Sequence, residues 1–231
     1  AWEAGLANMF KPGEKVLVLE SGRFSVSWGE MAASLGLEVE TLAADWRKGV
    51  APEALTERLR KDAKGDIKGI LVVHNETSTG LATPIADMRK AIDAARHPAL
   101  LLVDTISSLG SIDFRMDDWG IDIAVGGSQK GLMMVTGLAF TGISEKAMAK
   151  WKADGAGGGM RRSYWSWAEM LTHTPQRFPG TTPAHLFFGL EQSLKLMEDE
   201  GLEAVFRRHS RLAKAVRAAV SHWGDGRRSK G

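Results

Sequence analysis

The sequence predicts an α/β domain with a mostly parallel sheet and flanking helices, and two patterns predict it. The short apolar runs are continuous rather than alternating, as expected of strands buried on both faces. Helix-period segments lie between them, so strand and helix alternate through the first 150 residues.

The expected strands are Val16–Leu19, Ile70–Val73, Leu100–Val103, Ile121–Val125 and Leu138–Thr141. Ser27–Leu35 reads as a helix ending near Gly36, and Pro52–Lys61 as a second with proline in its first turn. A third begins at Thr83-Pro84, with Thr83 as cap, and runs to about Arg96. Ser144 is expected to cap Glu145–Lys152. The glycine-rich stretch Asp154–Met160 reads as a mobile loop. After it come a short aromatic helix near Trp165–Leu171, then Pro183–Glu200, then the amphipathic, basic Leu202–Trp223. Residues 1–200 thus read as one large domain, and 201–231 as a helix leading toward a second. The chain opens inside a helical pattern, Ala1–Ala7, and Asp225–Gly231 has no apolar periodicity. A chain cut at both ends is the expectation.

Composition narrows the function. Of 231 residues, 44% are hydrophobic and 25% charged, a balance that supports a core without metals or disulfides. The net charge of +2 gives no reason to expect a nucleic-acid surface. The absence of cysteine excludes disulfides and thiolate metal sites. The six histidines show no metal-ligand spacing. No apolar run reaches the roughly 20 residues of a membrane span, and no secretory signal is evident, so a cytoplasmic protein is expected.

In open parallel sheets, ligands bind beyond the carboxyl ends of the strands. Three successive strand ends deliver polar groups there: His74–Gly80, Asp104–Ser108 and Gly126–Gly131. Lys130 lies between the apolar runs Ile121–Val125 and Leu132–Val135. Burial there would lower its pKa and make its amine a nucleophile toward carbonyls; the alternative is a solvated loop lysine. Asp104 ends an apolar strand, where a carboxylate is costly without a cation; the alternative is a helix cap. The pair suits pyridoxal 5′-phosphate, which needs a lysine for its aldehyde and a carboxylate for its ring nitrogen. Ser128 and Gln129 are short polar groups beside an expected phosphate, or plain turn residues. There is no Gly-x-Ser-x-Gly elbow, and the glycines at 155–159 follow a helix, which excludes a dinucleotide fingerprint.

The runs His74–Gly80 (HNETSTG), Val103–Gly110 (VDTISSLG) and Gly127–Leu132 (GSQKGL) resemble the serine–glyoxylate and alanine–glyoxylate aminotransferases. These are class V aminotransferases of the fold type I pyridoxal-phosphate superfamily. Trp46-Arg47 and Arg162–Trp165 join the resemblance, which reaches about Trp223. It implies that Lys130 forms the Schiff base and carries the proton, and that Asp104 holds the pyridine nitrogen. It implies that Phe24 stacks on the ring and Ile106 presses on its other face. Thr77 would lie near the phenolic oxygen, and Gln129 near the phosphate. Thr182 would reach the phosphate of a partner subunit's cofactor, which makes a homodimer the expectation. Phe24 also suits ordinary core packing, and Thr182 a helix cap before Pro183.

The implied reaction is serine plus glyoxylate to hydroxypyruvate plus glycine. The alternatives are alanine–glyoxylate or 2-aminoethylphosphonate–pyruvate transamination, or a truncated fragment without activity. The chain departs from the family at Val135-Thr136, where Pro-Pro is usual. The resemblance also implies a glycine-rich phosphate loop before Ala1 and a small C-terminal domain whose arginine clamps the substrate. Without them, the chain is expected to be a poor catalyst.

Overall fold

The computed structural model describes residues 1–156, 160–172 and 180–228. Its elements follow in chain order: α1 (Trp2–Met9), β1 (Lys15–Leu19), α2 (Arg23–Ser34), β2 (Glu38–Leu42), α3 (Pro52–Lys61), β3 (Ile67–Val73) and the two-residue strands β4 (Asn75–Glu76) and β5 (Leu81–Ala82). Then come α4 (Ile85–Ala94), β6 (Leu100–Asp104), β7 (Ile123–Gly127), β8 (Ala139–Ile143), α5 (Glu145–Ala153), α6 (Trp167–Thr172), α7 (Ala184–Glu200) and α8 (Leu202–Arg228).

Six strands form one sheet in the order β2-β1-β3-β6-β7-β8. All neighbours are parallel except β7 and β8, which pair antiparallel. The continuous apolar runs have a direct cause: alternate side chains of the central strands β1, β3, β6 and β7 enter two different cores. In β3, Leu71 and Val73 join Leu6, Phe10 and Trp28 on one face. Ile70 and Val72 join Leu55, Leu59, Met88 and Ile92 on the other. A third, smaller cluster of Leu132, Met197 and Val205 ties α7 and α8 to the turn after β7.

The expected strands and helices are all present, most with ends shifted by a few residues, and Pro52–Lys61 coincides with α3. Ser144 does cap α5, its hydroxyl accepting the Ala147 N–H at 3.1 Å. Thr83 is not a cap. Its hydroxyl donates to the Val73 carbonyl at 2.8 Å, which ties the start of α4 to the end of β3. Pro84 stands at the cap position. Strand β2 escapes the sequence reading because it is an edge strand, Glu38-Val39-Glu40-Thr41-Leu42, whose charges suit an unpaired edge. Residues 157–159 of the expected glycine-rich loop lie outside the described residues. Helix α8 leaves Leu212, Val216, Val220 and Trp223 exposed.

Candidate active site

The polar residues do gather at the carboxyl ends of the central strands, around a cavity of about 450 Å³. The segment after β3 contributes Asn75 and Thr77, the end of β6 contributes Asp104, Ile106 and Ser107, and the turn after β7 contributes Gln129 and Lys130. Phe24, from the first turn of α2, and Trp2, from α1, add aromatic walls. Six of the eight residues singled out in the sequence therefore share one cavity, and Ser128 and Thr182 do not line it.

Asp104 is the acid of this site and is only 4% exposed. One carboxylate oxygen accepts the Ile106 N–H at 2.6 Å, and the other accepts the Trp2 indole N–H at 2.8 Å. Among the described residues no cation pairs with it within salt-bridge distance. Burial pushes its pKa up to about 6, against hydrogen bonds from Ile106 and Trp2 that pull it down, with nearby Glu76 raising it further. The Trp2 ring itself stacks on Trp28, with centroids 5.7 Å apart, and meets Phe24 edge-on at 6.4 Å.

Lys130 departs from its expected surroundings. It is exposed, not enclosed by apolar neighbours. The apolar runs beside it in sequence belong to a strand that ends before it and a turn that leads away, so its amine meets solvent and the cavity. The turn is held from below. The Ser128 hydroxyl, fully buried, donates to the Val135 carbonyl at 2.7 Å and accepts the Leu138 N–H at 3.3 Å. Ser128 thus serves the backbone rather than facing a phosphate. Gly131 must be glycine, because a Cβ there would stand 2.2 Å from the Leu109 carbonyl oxygen.

Phe24 is 42% exposed on the cavity wall, which rules out ordinary core packing. Ile106 is half-buried, and Thr77 and Gln129 are exposed. Thr182 is not brought to this cavity; it lies exposed before α7 and gives that helix no side-chain cap. The sequence reading missed Trp2, Asn75 and Ser107. Asn75 donates to the Ser107 hydroxyl at 3.0 Å, and that hydroxyl donates to the Asn75 carbonyl at 2.6 Å, joining the ends of β3 and β6. Their place in the polar strand-end segments was the available signal. Trp2, distant in sequence, gave none.

Immediately after β3, His74 is buried beside Phe114 and Trp119, at centroid distances of 5.7 and 6.1 Å. Burial lowers its pKa from the ordinary 6.5 to about 4. Below pH 6.5 the unfolded chain takes up a proton that the folded one refuses, so this residue's contribution fades as pH falls toward 4, by about 3 kcal/mol. Asp104 acts oppositely across nearly the same window, since its folded form binds a proton first. The two offset each other. His74→Gln should therefore leave a protein that gains stability, relative to its parent's trend, as pH falls from 6.5 to 4.5. Urea unfolding at several pH values checks this; an unchanged pH trend would contradict it.

A lysine and a buried acid stand at the ends of adjacent strands in an open, mostly parallel sheet with flanking helices, and that architecture matches the fold type I pyridoxal-phosphate transferases. The Aminotransferase class-V family model matches residues 3–228, and the chain belongs to that family. Class V aminotransferases depend on pyridoxal phosphate. The serine–glyoxylate aminotransferase of Hyphomicrobium methylovorum is 47% identical over 97% of this chain and 55% of its own length. The L-aspartate–glyoxylate aminotransferase of Paracoccus denitrificans is 45% identical over 96% of this chain and 56% of its own. Among solved structures, the alanine–glyoxylate aminotransferase of a Nostoc species superposes with a TM-score of 0.83 at 29% identity, covering 92% of this chain and 55% of that one. The chain spans about half the length of the curated relatives it matches. No helix among the described residues is long and apolar enough to cross a membrane.

Proposed function

We propose that this cavity holds pyridoxal 5′-phosphate and serves transamination with serine as amino donor and glyoxylate as acceptor. The observation that carries the reading is the pairing, in one cavity, of a lysine amine with a buried acid that has no salt-bridge partner among the described residues. A protonated ring nitrogen would be the missing partner for Asp104, and its charge would reverse the rise in the acid's pKa. The volume and the mixed walls, Phe24 and Ile106 apolar and Thr77 and Gln129 polar, suit a small aromatic phosphate.

The residues then divide the work. The bound cofactor supplies an electron sink for the pair left behind when Cα loses its proton. Lys130 anchors it and, once released, moves that proton as general base and then general acid. Its exposure on the cavity wall leaves it free to swing between these tasks. Asp104 holds a proton at the ring nitrogen, and Trp2 and Ile106 fix the acid's orientation. Phe24 and Ile106 confine the ring from its two faces. Gln129 and the start of α1, where Ala1, Trp2 and Glu3 line the cavity, lie where backbone and side-chain donors can meet a phosphate. Thr182 would serve a partner subunit's site in a homodimer.

Glyoxylate is favoured as acceptor because all three relatives described above are named for it. Their donors differ: serine, aspartate and alanine. Serine is chosen on the 47% relative. Donor profiling of the full-length protein against glyoxylate should rank serine first by about tenfold or more, within the discrimination that pocket contacts provide. A lead for aspartate, alanine or 2-aminoethylphosphonate would overturn the choice of donor, and a preference for pyruvate would overturn the acceptor.

A further inference from the structure

We infer that Glu76, which does not touch the cavity, is the positioning residue that sets its aromatic wall. The inference rests on the cofactor reading above. Helix α2 begins at Arg23 after Gly22, and a glycine cap has no side chain to satisfy the first free N–H groups. Glu76 supplies the cap from another element. One of its carboxylate oxygens accepts the N–H groups of both Phe24 and Ser25 at 3.1 Å. The other accepts the Ser78 N–H at 3.0 Å and the Ser78 hydroxyl at 2.7 Å. The Ser78 hydroxyl in turn accepts the Arg23 N–H at 2.9 Å. The first three N–H groups of α2 thus end on the segment that carries Thr77 into the cavity.

Burial of this acid is complete, at 0% exposure, and no salt bridge to it occurs among the described residues. Four hydrogen bonds and the positive end of α2 account for its tolerance there. Gly22 is part of the same arrangement. A Cβ at position 22 would lie 2.5 Å from both Glu76 Cγ and Ser78 Oγ, so only glycine lets the carboxylate approach. Phe24 sits on the turn that Glu76 holds, and its ring has no enclosing core to fix it, being 42% exposed. The backbone of that turn therefore aims the ring, with the edge-on contact to Trp2 beside it. A glutamine at position 76 keeps an oxygen for the helix but offers the Ser78 N–H an amide donor instead of an acceptor, which loosens the link.

The test is a double-mutant cycle read by equilibrium binding of pyridoxal 5′-phosphate and by the circular dichroism of the bound cofactor, which reports the ring's surroundings. Glu76→Gln should weaken binding about tenfold and alter the dichroism, whereas the same change made on Phe24→Leu should weaken it less than about twofold. Equal binding by parent and Glu76→Gln would overturn the inference while leaving the cofactor reading intact. So would the same penalty in both backgrounds, since Glu76 would then act on the fold and not through Phe24. Failure of the unaltered protein to bind the cofactor would overturn both. If Glu76→Gln does not fold, Ser78→Ala replaces it in the cycle, with the same criterion of a penalty that vanishes on Phe24→Leu.

Discussion

Asp104→Asn is expected to give a cofactor-free protein that is more stable at pH 7 and a transaminase slower by orders of magnitude. Burial raises the acid's pKa to about 6, so at pH 7 the folded state carries an ionised group it holds poorly. Relative to the ordinary 3.8, that costs about 3 kcal/mol. Asparagine removes the charge. It also turns an amide N–H toward either the Ile106 N–H or the Trp2 indole, forfeiting one hydrogen bond and leaving a gain of about 1–2 kcal/mol. The gain should vanish by pH 4, where the parent's acid is protonated when folded. Acidification from pH 6.5 should then expose the loss of stability due to His74. With cofactor the sign reverses, because a neutral amide cannot hold the ring nitrogen protonated and the electron sink fails. Urea unfolding of the cofactor-free proteins and single-turnover rates of the loaded ones check both halves. A variant less stable than its parent at pH 7, or a near-normal rate, would contradict them.

Lys130→Ala carries the second large effect. Its exposed side chain touches no core, so stability should change by less than about 0.5 kcal/mol. Cofactor affinity should fall as the covalent anchor is lost, and transamination should drop by several orders of magnitude, because no other lysine among the described residues lines the cavity. A small primary amine in solution should restore part of the rate by supplying the missing base. A variant that keeps its rate without added amine would remove Lys130 from the chemistry.

The reading of the fold from sequence succeeds where two-faced burial writes itself as continuous apolar runs, as in Leu100–Val103. It fails where charge hides a strand, as in Glu38–Leu42, and where a serine looks outward in sequence but points inward, as at Ser128. Lys130 shows the limit most clearly. Apolar neighbours along the chain suggested burial, yet at a strand's end the chain turns and the neighbours diverge. Thr77, Asp104, Ile106, Gln129 and Lys130 were legible because each lies in a segment that follows a strand at the same end of the sheet, whereas Phe24 was placed by the family resemblance alone. Trp2 and Glu76 were not, since one reaches Asp104 across 102 positions and the other acts through the backbone of a different helix.

Borohydride reduction of the cofactor-loaded protein, followed by peptide mapping, tests whether Lys130 holds the cofactor. It fixes the cofactor to whichever amine holds it. A single labelled peptide carrying the cofactor on Lys130 is expected, and no label in Lys130→Ala. A label on another lysine, or none on a protein shown to bind the cofactor, would contradict it.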